Sequence, residues 1–200
     1  VAISGGSTMA AVAEEMPILP FNPIVVPARG GVGAVVEYQA NVIASVLAER
    51  LRGTYKMLHL PDGLSQDSLH MLMTCEPQIK EIGDLISRTD VLLFGIGTAM
   101  RMADQRHIAD DVRKQLVDNH AVGEALGQYC DMDGKLIYST NNIGLSLPDV
   151  AKVPNVIAVA GGQEKASAII GVMRACQKGI LIIDEQAAEG MRQLLQISAL

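Results

Sequence analysis

Short apolar, β-branched runs recur along this chain, and most of them stop at glycine or another turn signal. Val1-Ala2-Ile3 ends at Gly5-Gly6, and Ile24-Val25-Val26 leads to Arg29-Gly30-Gly31-Val32-Gly33. Val91–Phe94 ends at Gly95-Ile96-Gly97, and Val156–Ala160 ends at Gly161-Gly162. Further runs lie at Tyr55–Leu60, Leu136–Ser139 and Ile180–Ile183. Between most of them the apolar spacing changes to three or four, as in Val36, Ala40, Ile43, Leu47 and Leu51. Ile79, Ile82, Leu85 and Ile86 repeat that spacing, and so do Ala166, Ile169, Ile170 and Met173. A spacing of three or four is the period of a helix, whereas a short apolar run bounded by turns is a buried strand. Strands of this kind alternating with helices specify βαβ units and a mostly parallel sheet with helices on both faces. The predicted fold class is α/β and Rossmann-like. The 200 residues suffice for one domain with a sizeable core.

The glycine turns carry the chemistry. In an open parallel sheet, ligands sit outside the carboxyl ends of the strands, and all four glycine clusters fall on that edge. Glycine lets the backbone turn tightly and approach a ligand closely. The helix that follows aims free N–H groups and the positive end of its dipole at the same spot, which favours an anion. Beyond Gly5 and Gly6, the hydroxyls of Ser7 and Thr8 can donate to phosphate oxygens or cap the helix. No Gly-Lys-Ser/Thr and no G-x-G-x-x-G is present, so neither a Walker A loop nor the dinucleotide fingerprint applies. Lys165, in Gly161-Gly162-Gln163-Glu164-Lys165, lies in the first turn of a helix, where a cation opposes the dipole. An anion nearby would account for it, as would a solvated surface position.

Arg29 precedes a glycine pair, and Arg101 and Arg106 follow Gly97-Thr98. Guanidinium suits bidentate phosphate recognition. These cations beside glycine turns, in a chain of net charge −6, predict a local positive pocket for a ligand with more than one phosphate. Glu124 and Asp131 can accept hydrogen bonds from sugar hydroxyls. Their plain alternatives are a helix-surface glutamate and a turn aspartate before Gly134. Gln39, with Glu37 and Asn41, can line the pocket edge or face water.

The acidic balance excludes a basic nucleic-acid surface, so any DNA-contacting part lies outside this chain. No apolar run approaches the roughly 20 residues that span a bilayer, and no membrane partner is expected. Cys75, Cys130 and Cys176 are widely separated and form no CxxC, as expected of reduced thiols in a cytoplasmic protein. The histidines are scattered, and neither a metal nor a cofactor is expected. The chain lacks an initiator Met and starts within a strand-like run, as a piece cut from a longer protein would.

Taken in order, Gly5-Gly6-Ser7-Thr8, Ala121-Val122-Gly123-Glu124, Val156–Gly162 with Lys165, and Ile182-Ile183-Asp184-Glu185-Gln186-Ala187-Ala188 resemble one family. It is the sugar-binding domain of the SorC family of bacterial transcriptional regulators, matched over roughly residues 1–195. Within it, the likeness is to a repressor of glycolytic genes. The resemblance implies a fold related to sugar-phosphate isomerases and deaminases but used for sensing. It implies an effector-binding domain over residues 1–200, operator DNA bound through an N-terminal helix-turn-helix domain absent from this chain, and a homo-oligomer, dimer or tetramer. The implied inducer is fructose 1,6-bisphosphate or a related glycolytic sugar phosphate. Carried over by position, Gly5, Gly6, Ser7, Thr8 and Lys165 hold one phosphate. Arg29 with Arg101 or Arg106 holds the other, and Glu124 reads sugar hydroxyls. The alternative is an isomerase or deaminase on the same fold, with Glu124, Asp131 or His107 as base, although no acid–base pair of recognisable spacing is present.

Overall fold

Ala2 and Ile3 form β1 (Ala2–Ile3), and both are fully buried because the strand is covered on its two faces. The computed structural model that shows this describes residues 1–31, 35–60 and 63–196, so Val32 and Gly33 of the second glycine cluster lie outside the described residues. After β1 come α1 (Ser7–Glu15), β2 (Ile24–Pro27), α2 (Ala40–Arg50), β3 (Thr54–Tyr55), α3 (Gln66–Cys75), α4 (Pro77–Ser87) and β4 (Val91–Gly95). Then follow β5 (Gly97–Thr98), α5 (Ala99–Gln105), α6 (Asp110–Asp118), β6 (Gly123–Ala125), β7 (Gln128–Cys130) and β8 (Leu136–Ser139). The chain returns through β9 (Asn155–Ala160), α7 (Ala166–Cys176), β10 (Ile180–Ile183) and α8 (Glu185–Leu194).

Six strands pair in the order β10-β9-β4-β1-β2-β3, every pair parallel. With the inserted strands left out, this is the doubly wound order 3-2-1-4-5-6, whose direction reverses between β1 and β4. Period-two alternation splits the core. Ile3, Val25, Leu93, Ile157 and Val159 face α1 and α2, where Met9, Ala13, Ile43 and Leu47 meet them. Ala2, Val26, Leu92, Phe94, Val156 and Ala158 face the other way, onto Ile82 and Ile86 of α4 and Ala168, Ile169 and Val172 of α7. Beyond α1 no described residue covers the first face, and Ile180 and Ile182 of β10 are 63% and 51% exposed. Among the described residues no helix is long and apolar enough to cross a membrane.

Three local readings are corrected. Leu136–Ser139 is β8 of a separate four-stranded antiparallel sheet, β5-β6-β7-β8, inserted between β4 and β9. The links from β6 to β7 and from β7 to β8 are too short for a parallel crossover, which takes a dozen residues or more. The run Tyr55–Leu60 pairs as a strand only over Thr54–Tyr55. Past it, the Asn41 side chain takes over, accepting from the Leu58 N–H at 2.9 Å and donating to the Leu58 carbonyl at 3.1 Å. Val36 lies outside α2, exposed in a short 3₁₀ turn over Val36–Tyr38, because Gln39 has extended backbone and starts the helix anew.

Candidate functional site

The reversal point of the sheet places the Gly5–Thr8 turn beside the Gly95–Gly97 turn. Gly6 is the N-cap of α1, at φ 112°. Its N–H donates to the Tyr38 carbonyl at 2.9 Å. A Cβ on Gly5 would come within 2.8 Å of that same oxygen, so only glycine allows this approach. The segment that follows Tyr38, with Gln39 half-buried, is thereby held against the turn. No side chain caps α1, and its first turn holds no acidic residue. Among the described residues, the orphan N–H groups at this helix start therefore have no side-chain acceptor. Ser7, Thr8 and Ala11 line an open cleft of about 540 Å³, with Val159, Gly161 and Asp184 across from them.

Asp184 changes the reading of the third glycine turn. It is the N-cap of α8, accepting from the Ala187 N–H at 2.8 Å, and its two oxygens accept from the Gly162 N–H at 3.1 and 2.9 Å. These backbone donors, then the Lys165 charge, hold its carboxyl below the usual carboxylate range. Lys165 ends a short 3₁₀ turn, Gln163–Lys165, that leads into α7. The negative charge that a first-turn lysine calls for is thus supplied in part from within the chain.

A second cluster lies where the inserted sheet meets the main one. Gly97 of β5 is directly opposite Glu124 of β6. Glu124 is 3% exposed. Its Oε1 accepts from the Gly127 N–H at 2.6 Å and from Arg106 Nη2 at 3.2 Å. Oε2 accepts no hydrogen bond among the described residues and lies 3.9 Å from where a Cβ on Gly97 would stand. The link from β6 to β7 is Leu126-Gly127, at φ 51° and 76°. Two left-handed residues in a two-residue hairpin match the sheet twist, but leucine holds that conformation under strain. Arg29 lies over this turn, 7% exposed, with Nη2 donating to Thr140 Oγ1 at 2.8 Å. A side chain on Gly127 would strike the Arg29 guanidinium.

Residues 1–193 match the family described as "Putative sugar-binding domain". The chain belongs to that family. It is 40% identical over 191 residues to the central glycolytic genes regulator of Bacillus subtilis, covering 94% of this chain and 56% of that protein. It is 41% identical over 191 residues to the regulator of the same name in Priestia megaterium, with the same coverage. The chain spans about half the length of these curated relatives. A SorC family transcriptional regulator from Enterococcus faecalis superposes with a TM-score of 0.87 at 40% identity, over 95% of this chain and 78% of that one. The full-length sorbitol operon regulator SorC of Klebsiella pneumoniae shares the fold, with a TM-score of 0.82 at 23% identity, over 95% of this chain and 63% of that one.

Within this sugar-binding domain, the predicted residues fall into two groups. Gly5, Gly6, Ser7, Thr8 and Gln39 surround the β1 turn, and Lys165 stands beyond the cleft that Ser7 and Thr8 line. Arg29, Gly97, Arg106 and Glu124 converge on the β6–β7 hairpin. Arg106, rather than Arg101, reaches Glu124; Arg101 is exposed on α5. Asp131 is not brought to either group. It sits at the far end of β7, where its Oδ1 accepts from the Asp133 and Lys135 N–H groups at 3.0 and 2.9 Å. Glu124 is a buried strand residue, not a helix-surface one. Sequence reasoning missed Asp184 and Tyr129. For Asp184 a signal was present, an Asp directly before a helix start. For Tyr129, fully buried opposite Glu124 on the hairpin, no sequence signal exists.

Proposed function

We propose that this sugar-binding domain is the effector-sensing part of a transcriptional repressor of glycolytic genes and that its ligand is a phosphorylated sugar, fructose 1,6-bisphosphate foremost. The observation that carries this reading is the 40% identity to a central glycolytic genes regulator over 94% of the chain. The geometry supports it. The uncapped α1 N-terminus with Ser7, Thr8 and Lys165 suits one phosphate. Arg106 and Arg29 suit another, and the open Glu124 Oε2 suits a sugar hydroxyl between them. Gly161 follows β9 and Arg29 follows β2, three strand spacings apart, roughly 14 Å at about 4.8 Å per strand. Lysine and arginine side chains reaching inward across that span suit a ligand anionic at both ends. The domain then acts within a longer homo-oligomeric protein whose other part grips operator DNA, and ligand binding weakens that grip.

Catalysis by an isomerase-like route finds little support. Acid–base catalysis needs a paired acid and base at the substrate, whereas Asp131 is held in its own turn and is not brought to Glu124. A thermal-shift panel of glycolytic phosphates, followed by NMR of the incubated sugars, tests the reading. A rise in Tm with unchanged sugar is expected, since a ligand that binds only the folded state stabilises by RT ln(1 + [L]/Kd). Turnover, or no shift with any sugar phosphate, would overturn it.

A further inference from the structure

Tyr129 is wholly buried on β7, and its hydroxyl has no hydrogen-bond partner among the described residues. A phenylalanine would fill the same space without leaving a buried donor unmade. The hydroxyl is placed next to charge. In the inserted sheet Gly97, Glu124, Tyr129 and Tyr138 are successive cross-strand partners, so they form one row on one face. Directly opposed residues in such a ladder have Cβ atoms roughly 5 Å apart. The Tyr129 and Tyr138 rings pack at 6.0 Å between centroids, which restrains the Tyr129 ring within this row. Burial first, and then the Glu124 charge, push the phenol's pKa up, while Arg106 and Arg29 draw it down. Tyr129 therefore stays protonated and available as a donor.

Glu124 depends on Arg106. Its side chain is 4% exposed, whereas that of Arg106 is 22% exposed and reaches solvent. A phosphate arriving at that edge competes for the guanidinium, because phosphate pairs with guanidinium bidentately and with charge assistance. Losing Arg106 would leave a buried carboxylate short of a donor, which is a heavily destabilised state. One buried donor on the same face is spare.

We propose that Tyr129 positions Glu124 in the ligand-bound domain, its phenol donating to the carboxylate when Arg106 turns away to an anionic ligand. The exchange keeps Glu124 charged and aimed at Gly97, where Oε2 meets the sugar. It rests on the reading above that an anion engages Arg106. A double-mutant cycle tests it. Tyr129→Phe is expected to leave Tm unchanged or raised in the wild-type background, since the hydroxyl is unbonded there. In an Arg106→Ala background the phenol already holds Glu124, and the same change lowers Tm; Arg106→Met serves if Arg106→Ala fails to fold. With fructose 1,6-bisphosphate as probe, Tyr129→Phe weakens binding about tenfold, as expected for one lost charge-assisted hydrogen bond. Equal Tm losses in both backgrounds, or wild-type affinity in Tyr129→Phe, would overturn the proposal. If the wild-type chain binds no sugar phosphate, the proposed function fails, while the Tm cycle still decides the exchange between Tyr129 and Arg106.

Discussion

At the scale of single residues, the two hydroxyls and the lysine of the α1 locus are distinguishable by charge. Thr8→Val keeps shape and removes one donor, and it should weaken sugar-phosphate binding by about 0.5–1.5 kcal/mol. Lys165→Ala should cost more, because it removes the cation as well as a donor; isothermal titration measures both. Unchanged affinity in both variants would return these residues to surface roles. The thiols are separable too. Burial pushes Cys130 and Cys176 up to about 12, whereas Cys75 is exposed. At pH 8 a thiol of that kind is ionised roughly one part in ten thousand, and only the thiolate reacts. Iodoacetamide should therefore label the native chain once, at Cys75, with the other two modified only on unfolding, as read by intact mass. The same shift sets a sign for stability. The unfolded chain loses these protons near the ordinary value of 9.0, while the fold holds them to about 12, so stability should fall as pH rises through that window.

At the scale of elements, the parts legible in the sequence are those whose physics is local. The β1, β4 and β9 turns were readable because a strand ending on a parallel edge and entering a tight turn needs glycine there. The helices α2, α4 and α7 were readable from their period, whereas α3, α5, α6 and α8 were not read from one. The inserted sheet was not. Gly123-Glu124-Ala125 and Gln128-Tyr129-Cys130 are three residues each and carry no apolar alternation, and their turn presents a strained leucine where Asn or Asp would signal a hairpin. Glu124 was therefore chosen for its chemistry while its strand went unseen. The Asp184–Gly162 contact joins residues 22 apart and depends on β10 lying beside β9, which only the folded sheet reveals. The hairpin supplies an element-scale test. Gly127→Ala forces an alanine to φ 76° and drives its methyl into the Arg29 guanidinium, whereas Gly6→Ala meets only backbone strain at φ 112° with nothing within 4 Å. Backbone strain alone costs about 1–3 kcal/mol. Denaturant unfolding should show a loss of that size for Gly6→Ala and a clearly larger one for Gly127→Ala. Equal losses would mean that Arg29 moves aside freely and does not depend on the hairpin.

At the scale of the molecule, the doubly wound order places every ligand-edge feature relative to one reversal point. The β1 turn with Ser7 and Thr8 and the β4 turn with Gly97 flank that point. Lys165 lies on the β9 side of it, and Arg29 on the β2 side. Net charge −6 is thus compatible with an anion site, because Arg29, Arg106 and Lys165 lie on the same edge of the sheet as the uncapped start of α1. On the proposed reading, two such loci separated by several strand spacings take a sugar with a phosphate at each end, and a single phosphate satisfies only one of them. The most direct test is isothermal titration of this chain with fructose 1,6-bisphosphate and with the two corresponding monophosphates. Saturable one-site binding is expected, with the bisphosphate at least about tenfold tighter than either monophosphate, the worth of one further charge-assisted contact. No saturable heat with any of the three, or a monophosphate binding as tightly as the bisphosphate, would contradict it.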